Sequence, residues 1–370
     1  MGRALRPVGE PISTQQSSED ISTFFNPFRT HLYSSGTAAL AAAVGAALQR
    51  RPTQHPEVLL PAYGCPSLVS AIVFNQAKPV LVDLAKNQIE LDSNDLAEKL
   101  TENTVAVISV DLFGLPSVSA SHRQLLRQHD CTLIRDCAQA RVVPTAIATD
   151  DNELIVISFG RGKPVSVLNG GAVLQPPNQS FNLPNPADVI DTFASNWLTR
   201  LKLEIYNLAI KPSIYGLLEH LPIGLGETRY RQLEVIGGMP RPAIRYLLAN
   251  LNQASTANGS VLRQDYENLF SSMLNQGWID LCQQSDPKRT HHLLRYAVLA
   301  PSKAIRDKVL ATAQNQNLGF TALYGQPMHH ITDIPPIVRK SDYYAHPHAT
   351  ELAGRLLTLP FYQGLSAADL

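Results

Sequence analysis

Leu154-Ile155-Val156-Ile157-Ser158-Phe159-Gly160-Arg161-Gly162-Lys163 begins as an unbroken apolar run and ends in a glycine-rich loop carrying a lysine. An apolar run without alternation reads as a strand buried on both faces. The same signature recurs upstream at Val58-Leu59-Leu60, Pro79-Val80-Leu81-Val82-Asp83, 105–110 and 131–134. Helical patterns at 38–51, 67–76, 93–100 and 119–129 separate these runs. Strands alternating with short helices predict βαβ units: an α/β fold with a mainly parallel central sheet and helices on both faces. Such sheets bind ligands beyond the carboxyl ends of their strands. Ser35-Gly36-Thr37, Tyr63, Phe113, Asp136 and Ser158 all fall just before a helix or just after a strand, so the pattern gathers them at one edge.

The bulk composition sets bounds. A chain of 370 residues, 44% of them hydrophobic, has material for a large core and more than one domain. Lys plus Arg equals Asp plus Glu, at 31 each, which gives no reason to expect nucleic acid or an anionic membrane as a partner. Cys65, Cys131, Cys137 and Cys282 form neither a CxxC pair nor a zinc pattern, and a reducing cytoplasm is the simplest expectation. The start of the chain shows no secretory signal, and the Ala-rich run 38–48 is short of a membrane span.

Residues 1–25 are polar and Ser-rich and read as a loose N-terminal arm. Residues 26–230 read as a large ligand-binding domain. Within it a proline-broken loop after 175 leads to a helical insertion at about 180–225, amphipathic over 189–210 with Phe193, Trp197, Leu201 and Ile205 on one side. Residues 231–370 read as a smaller α/β domain, with helices at 243–252, 260–276 and 302–315 and a strand at 293–299. Trp197 and Trp278 read as core or interface residues.

Three segments carry chemistry. Ser35-Gly36-Thr37 precedes the Ala-rich helix, and a helix N-terminus offers unpaired N–H groups and a positive dipole end to a phosphate. Taken alone, an ordinary N-cap is the simpler explanation. Asp136 ends a strand, where a carboxylate can pair with the protonated ring nitrogen of a pyridine or cap the next turn. Gln139, three residues on, can reach such a ring. Ser158 and Lys163 flank the glycine-rich loop. Lysine amines taken out of water are nucleophiles that form Schiff bases with aldehydes such as pyridoxal phosphate. A Walker A loop is excluded by spacing and by the absence of Ser or Thr after Lys163. His329-His330 and His346 with His348 lack a Cys or acidic partner and read as solvated loop side chains, so no metal is expected.

Taken in order, these segments resemble the DegT/StrS family of pyridoxal-phosphate-dependent sugar aminotransferases, of fold type I in the aspartate aminotransferase-like superfamily. Also matching are Leu60-Pro61-Ala62-Tyr63-Gly64-Cys65-Pro66, Asp111-Leu112-Phe113-Gly114, Gly170-Gly171-Ala172 and Arg355-Leu356-Leu357-Thr358-Leu359-Pro360. The resemblance is strong over about residues 30–175 and thin elsewhere. It implies that Lys163 is the Schiff-base lysine and proton carrier, and that Asp136 binds the pyridine nitrogen. It places Gln139 near the ring and gives the phosphate to Gly36, Thr37 and Ser158. It also implies a cytoplasmic homodimer with a shared active site. An amino donor such as glutamate would supply nitrogen to a keto group on a nucleotide-linked sugar, for polysaccharide or amino-sugar synthesis.

Three departures stand out. Cys65 occupies the place of the aromatic residue that stacks on the ring, with Tyr63 as an alternative platform. Pro164 follows the lysine where Asn is common. Residues 226–240 lack the Asn that a neighbouring subunit supplies, and Arg229 or Arg231 could replace its contact. The alternatives are a lyase or dehydratase of the same fold, or a non-catalytic regulator. The family's sugar dehydratases carry His in place of the lysine, so Lys163 points to transamination.

Overall fold

A computed structural model describes residues 4–6, 8–141, 152–178, 181–186, 193–219, 229–256, 259–339, 346–366 and 369. The larger sheet has seven strands: β1 (Arg29–Tyr33), β2 (Glu57–Pro61), β3 (Lys78–Val82), β4 (Thr104–Val110), β5 (Thr132–Asp136), β6 (Glu153–Ser158) and β7 (Gly171–Gln175). Their spatial order is β1-β7-β6-β5-β4-β2-β3. The pairs from β3 through β2, β4 and β5 to β6 are parallel, whereas β7 runs antiparallel to both neighbours. Every residue of β4, β6 and β7 is buried, which is why β4 and β6 read as continuous apolar runs.

The five expected strands are present to within two residues at each end. β1 and β7 were not expected from sequence. β1 is an edge strand whose first residues are only partly covered, and β7 opens on a glycine rather than a branched residue. Helix α1 (Gly36–Arg50) lies against β6 and β7. Its alanines at 38, 39, 41, 42 and 43 are wholly buried and let the backbone sit close to the sheet.

A second, antiparallel sheet follows the order β10-β9-β8: β8 (Ile279–Asp280), β9 (Arg295–Leu299) and β10 (Leu356–Pro360). Backbone bonds join it to the first. Leu294 N donates to Phe113 O (2.7 Å), and Met328 N donates to Ala62 O (2.7 Å). The Asp83 carboxylate, just past β3, accepts from His348 N (3.0 Å) and Ala349 N (2.8 Å) at the start of helix Pro347–Arg355. An acid at a helix N-terminus satisfies orphan N–H groups and meets the positive end of the dipole.

The N-terminal arm is not loose where it is described. Leu5, Ile12 and Phe25 are buried. Asn207 and Asn250 grip its backbone through paired bonds at Ile12 (both 2.7 Å) and Ser13 (2.8 and 3.1 Å). The few apolar residues in this polar stretch are enough to anchor it. The helical insertion is present as Phe193–Ala209 and Pro212–Glu219. The expected helix start at Val189 and the side chain of Phe193 lie outside the described residues. No helix among the described residues is long and apolar enough to cross a membrane.

Candidate active site

A cavity of about 350 Å³ opens where β4, β5 and β6 end. All seven residues singled out from sequence line it: Gly36 and Thr37 at the start of α1, Cys65, Asp136 at the end of β5, Gln139, Ser158 at the end of β6, and Lys163. Residues up to about 130 positions apart in sequence thus converge at the carboxyl edge of the sheet, as a parallel sheet dictates.

The turn at the start of α1 is built on missing side chains. Ser35 caps the helix by accepting from Ala38 N (3.1 Å), so the N-cap reading is correct, and the helix start also faces the cavity. A Cβ on Gly36 would lie 2.7 Å from both Cβ and Oγ of Ser158. A Cβ on Gly171 would lie 2.6 Å from Ser35 O and 2.7 Å from Gly36 N. Two glycines therefore let α1, β6 and β7 close on one point. Gly36→Val is expected to push Ser158 off this point and to weaken retention of any phosphate-bearing ligand at least about tenfold, because the positioned donors are displaced. Equilibrium dialysis against that ligand measures the change.

Asp136 is only 8% exposed, and its carboxylate accepts from Ala138 N (2.9 Å). Burial raises its pKa, while the Lys163 charge and the Ala138 N–H oppose the rise. The site thus presents a desolvated carboxylate that gains from a cationic N–H partner. Gln139 is fixed at both ends: Oε1 accepts from Phe113 N (3.0 Å) and Nε2 donates to Tyr324 Oη (3.0 Å). Phe113 holds a left-handed φ of 61°, a strained conformation for a non-glycine residue, in the turn after β4. Next to it Gly114 has no room for a Cβ, which would meet His292 O at 2.3 Å.

The two proposed ring platforms separate. Tyr63 is wholly buried and packs behind Tyr324, with ring centroids 5.4 Å apart, and it is not part of the cavity wall. Cys65 is on the wall, its sulfur 2.8 Å from the Ser67 hydroxyl. Among the described residues, the aromatic ring on the wall is Tyr324, from the C-terminal part of the chain, which sequence reading offered only as a residue near a substrate entrance. Burial raises the pKa of its hydroxyl, which stays protonated and can donate a hydrogen bond while it accepts one from Gln139. Arg229 and Arg231 also line the cavity, while Thr228 lies outside the described residues.

Sequence reading missed a buried ion network below the site. Arg135 Nη2 bonds Asp111 Oδ2 (2.7 Å), Arg135 Nη1 bonds Glu153 Oε1 (3.3 Å), and Arg123 bonds Glu153. Asp111 Oδ1 also accepts from the Ser117 hydroxyl (2.7 Å). The signal was there as single charges at the ends of apolar strands. The reading of the histidines is corrected. His329 and His346 are buried rather than solvated, with His329 lying 4.3 Å from His330 and 5.6 Å from His346 between ring centroids. Burial, then the neighbouring His330 and His346, hold His329 at about 4, hence neutral.

A mainly parallel sheet whose strand ends surround a lysine, a buried carboxylate and a glycine-built helix start defines a class: α/β proteins with a ligand-sized cavity at the carboxyl edge of the sheet. The family model described as the DegT/DnrJ/EryC1/StrS aminotransferase family matches residues 23–180 and 248–370, and the chain belongs to that family. GDP-perosamine synthase of Vibrio cholerae is 30% identical over 145 residues, 38% of each chain. A UDP-N-acetyl-3-dehydro-alpha-D-glucosamine 3-aminotransferase of Acidithiobacillus ferrooxidans is 33% identical over 106 residues, 29% of this chain and 28% of that protein. The matched stretches thus span well under half the length of these curated relatives. Among solved structures, NtdA of Bacillus subtilis with bound PMP has a TM-score of 0.66 at 16% identity, covering 96% of this chain and 75% of that one. DesV of S. venezuelae has a TM-score of 0.64 at 18% identity, covering 100% and 88%. These last two likenesses establish the fold.

Proposed function

We propose that the chain is a pyridoxal-phosphate-dependent aminotransferase that moves an amino group from an amino acid such as glutamate to a keto group on a nucleotide-linked sugar. The observation that carries this reading is the convergence of Gly36, Thr37, Ser158, Asp136, Gln139 and Lys163 on one cavity. Family membership and the relatives named for amino-sugar synthesis support it.

The residues fit the cofactor. The close approach of Gly36 to Ser158 brings the start of α1 together with the Ser158 hydroxyl at the cavity, and these groups with Thr37 would hold the phosphate. Asp136 would pair with a ring N–H, and Gln139, clamped by Phe113 and Tyr324, would lie near the ring. Cys65 lies on the wall where the ring would stack, and Lys163 approaches from the glycine-rich loop. When bound, pyridoxal phosphate supplies an aldehyde for the amine and a ring that withdraws electrons. Asp136 would keep that ring protonated by holding a negative charge at its nitrogen. Lys163 Nζ would be the base that accepts the donor's α-proton and the acid that gives it back. Arg229 and Arg231 offer positive charge at the cavity wall to an anionic substrate. In this reading residues 26–230 form the cofactor lobe and 231–370 the lobe that supplies Tyr324. The working enzyme is a cytoplasmic homodimer with a shared site.

Purified protein is expected to be yellow, with an absorbance band that glutamate bleaches and a keto-sugar nucleotide restores. A colourless protein that takes up no added cofactor would overturn the reading. A yellow protein that no amino donor bleaches would overturn the transaminase part alone.

A further inference from the structure

The family model stops at residue 180 and resumes at 248, and helix Phe193–Ala209 lies in the stretch between. Its side chains divide sharply. Leu203 and, just past the helix, Ile210 are buried, with Tyr206 half-buried beside them, and Leu203 packs in a cluster with Ile12, Phe25 and Tyr246. On the opposite side Trp197 is 61% exposed, Ile205 56%, Leu208 50%, Leu198 44% and Leu201 37%. At ~100° per residue these five fall within a sector of ~100°, centred roughly opposite Leu203 and Ile210. The helix thus uses its narrower side to hold the fold and turns its broader apolar stripe to solvent.

Five large apolar side chains exposed side by side on one helix are more than singly scattered surface residues explain. Its borders are charged. Lys202 is exposed on one edge and Arg200 on the other, and Lys211 is exposed just past the helix end. Glu204, bonded to Arg200 (3.0 Å), is the single acidic group on this helix. A tryptophan and aliphatic stripe bordered by cations, on a helix too polar on its other faces to span a bilayer, has the form of a helix lying in a membrane interface.

We infer that this helix docks the protein on an anionic lipid surface, with Trp197, Leu201, Ile205 and Leu208 in the acyl boundary and Lys202 and Lys211 at the headgroups. This departs from the expectation that no membrane is involved, which balanced charge and the absence of a spanning apolar run had suggested. Balanced totals conceal a local arrangement. The inference holds whether or not the chain transfers amino groups.

The test is co-sedimentation of the full chain with phosphatidylcholine vesicles with and without phosphatidylglycerol. Binding to the anionic vesicles is expected. The triple variant Trp197→Ser, Leu201→Ser, Ile205→Ser is expected to reduce it at least about tenfold, and Lys202→Glu several-fold. Far-UV circular dichroism reports whether the triple variant folds. If it does not, brominated lipid decides on the unaltered protein: it should quench Trp197 and spare Trp278, which packs against Phe270 with centroids 5.8 Å apart. Absence of binding, binding unchanged in a folded triple variant, or quenching confined to Trp278 would each overturn the inference. So would light scattering showing a dimer that the triple variant dissolves, with neither protein bound to vesicles; the stripe would then be a seam between two copies.

Discussion

Replacing Lys163 with alanine is expected to lower kcat for amino transfer by about 10⁴ or more, and to remove the yellow band entirely. In the proposed reaction the amine is both the attachment point and the proton carrier, and a positioned acid–base group alone is worth ~10²–10⁴. Lys163→Arg separates charge from chemistry. An arginine keeps a cation near Asp136, whose pKa Lys163 pulls downward, but cannot act as a nucleophile or base at neutral pH. Both variants should therefore be inactive, while Lys163→Arg should resemble the parent more closely in melting temperature. Stopped-flow absorbance with glutamate provides the rate. More than about a hundredth of the parent rate in Lys163→Ala would sink the assignment.

Glu153→Gln is expected to cost about 3–5 kcal/mol of stability, read as a melting temperature lower by roughly 5–15 °C. Glu153 opens β6 with no exposed surface and bonds both Arg123 and Arg135. Neutralising it keeps the shape but leaves two arginines, 18% and 15% exposed, short of negative charge in a low-dielectric setting. Glu204→Gln is the comparison. It breaks the exposed pair with Arg200, worth at most about 0.5 kcal/mol. Because Asp136 follows Arg135 directly and Ser158 ends the strand that Glu153 begins, cofactor retention should fall with the melting temperature in Glu153→Gln and not in Glu204→Gln.

Most of the sheet was legible because strands buried on both faces leave no alternation to confuse with a helix. Edge strand β1, with Arg29-Thr30-His31, and β7, starting at Gly171, were not, since neither carries that signature. The catalytic-type residues were legible through local context: each follows a strand or precedes a helix. The histidines at 329 and 346 were misread because their shelter comes from packing between segments far apart in sequence, such as His346 Nε2 against Leu81 O at 3.2 Å. The same reason hid Tyr324, which meets Gln139 across 185 positions.

By itself the sequence determined the βαβ order and the mainly parallel sheet, and local context together with the family resemblance picked out the set Gly36, Thr37, Cys65, Asp136, Gln139, Ser158 and Lys163. Periodicity and turn chemistry are local properties that a chain carries whether folded or not. Only the tertiary structure decided which aromatic ring faces that set, how Glu153 and Asp111 share two arginines, and which side of helix Phe193–Ala209 meets solvent. Those depend on what distant segments bury, and an amphipathic helix with apolar residues on two sides cannot record in its own sequence which side the core will take.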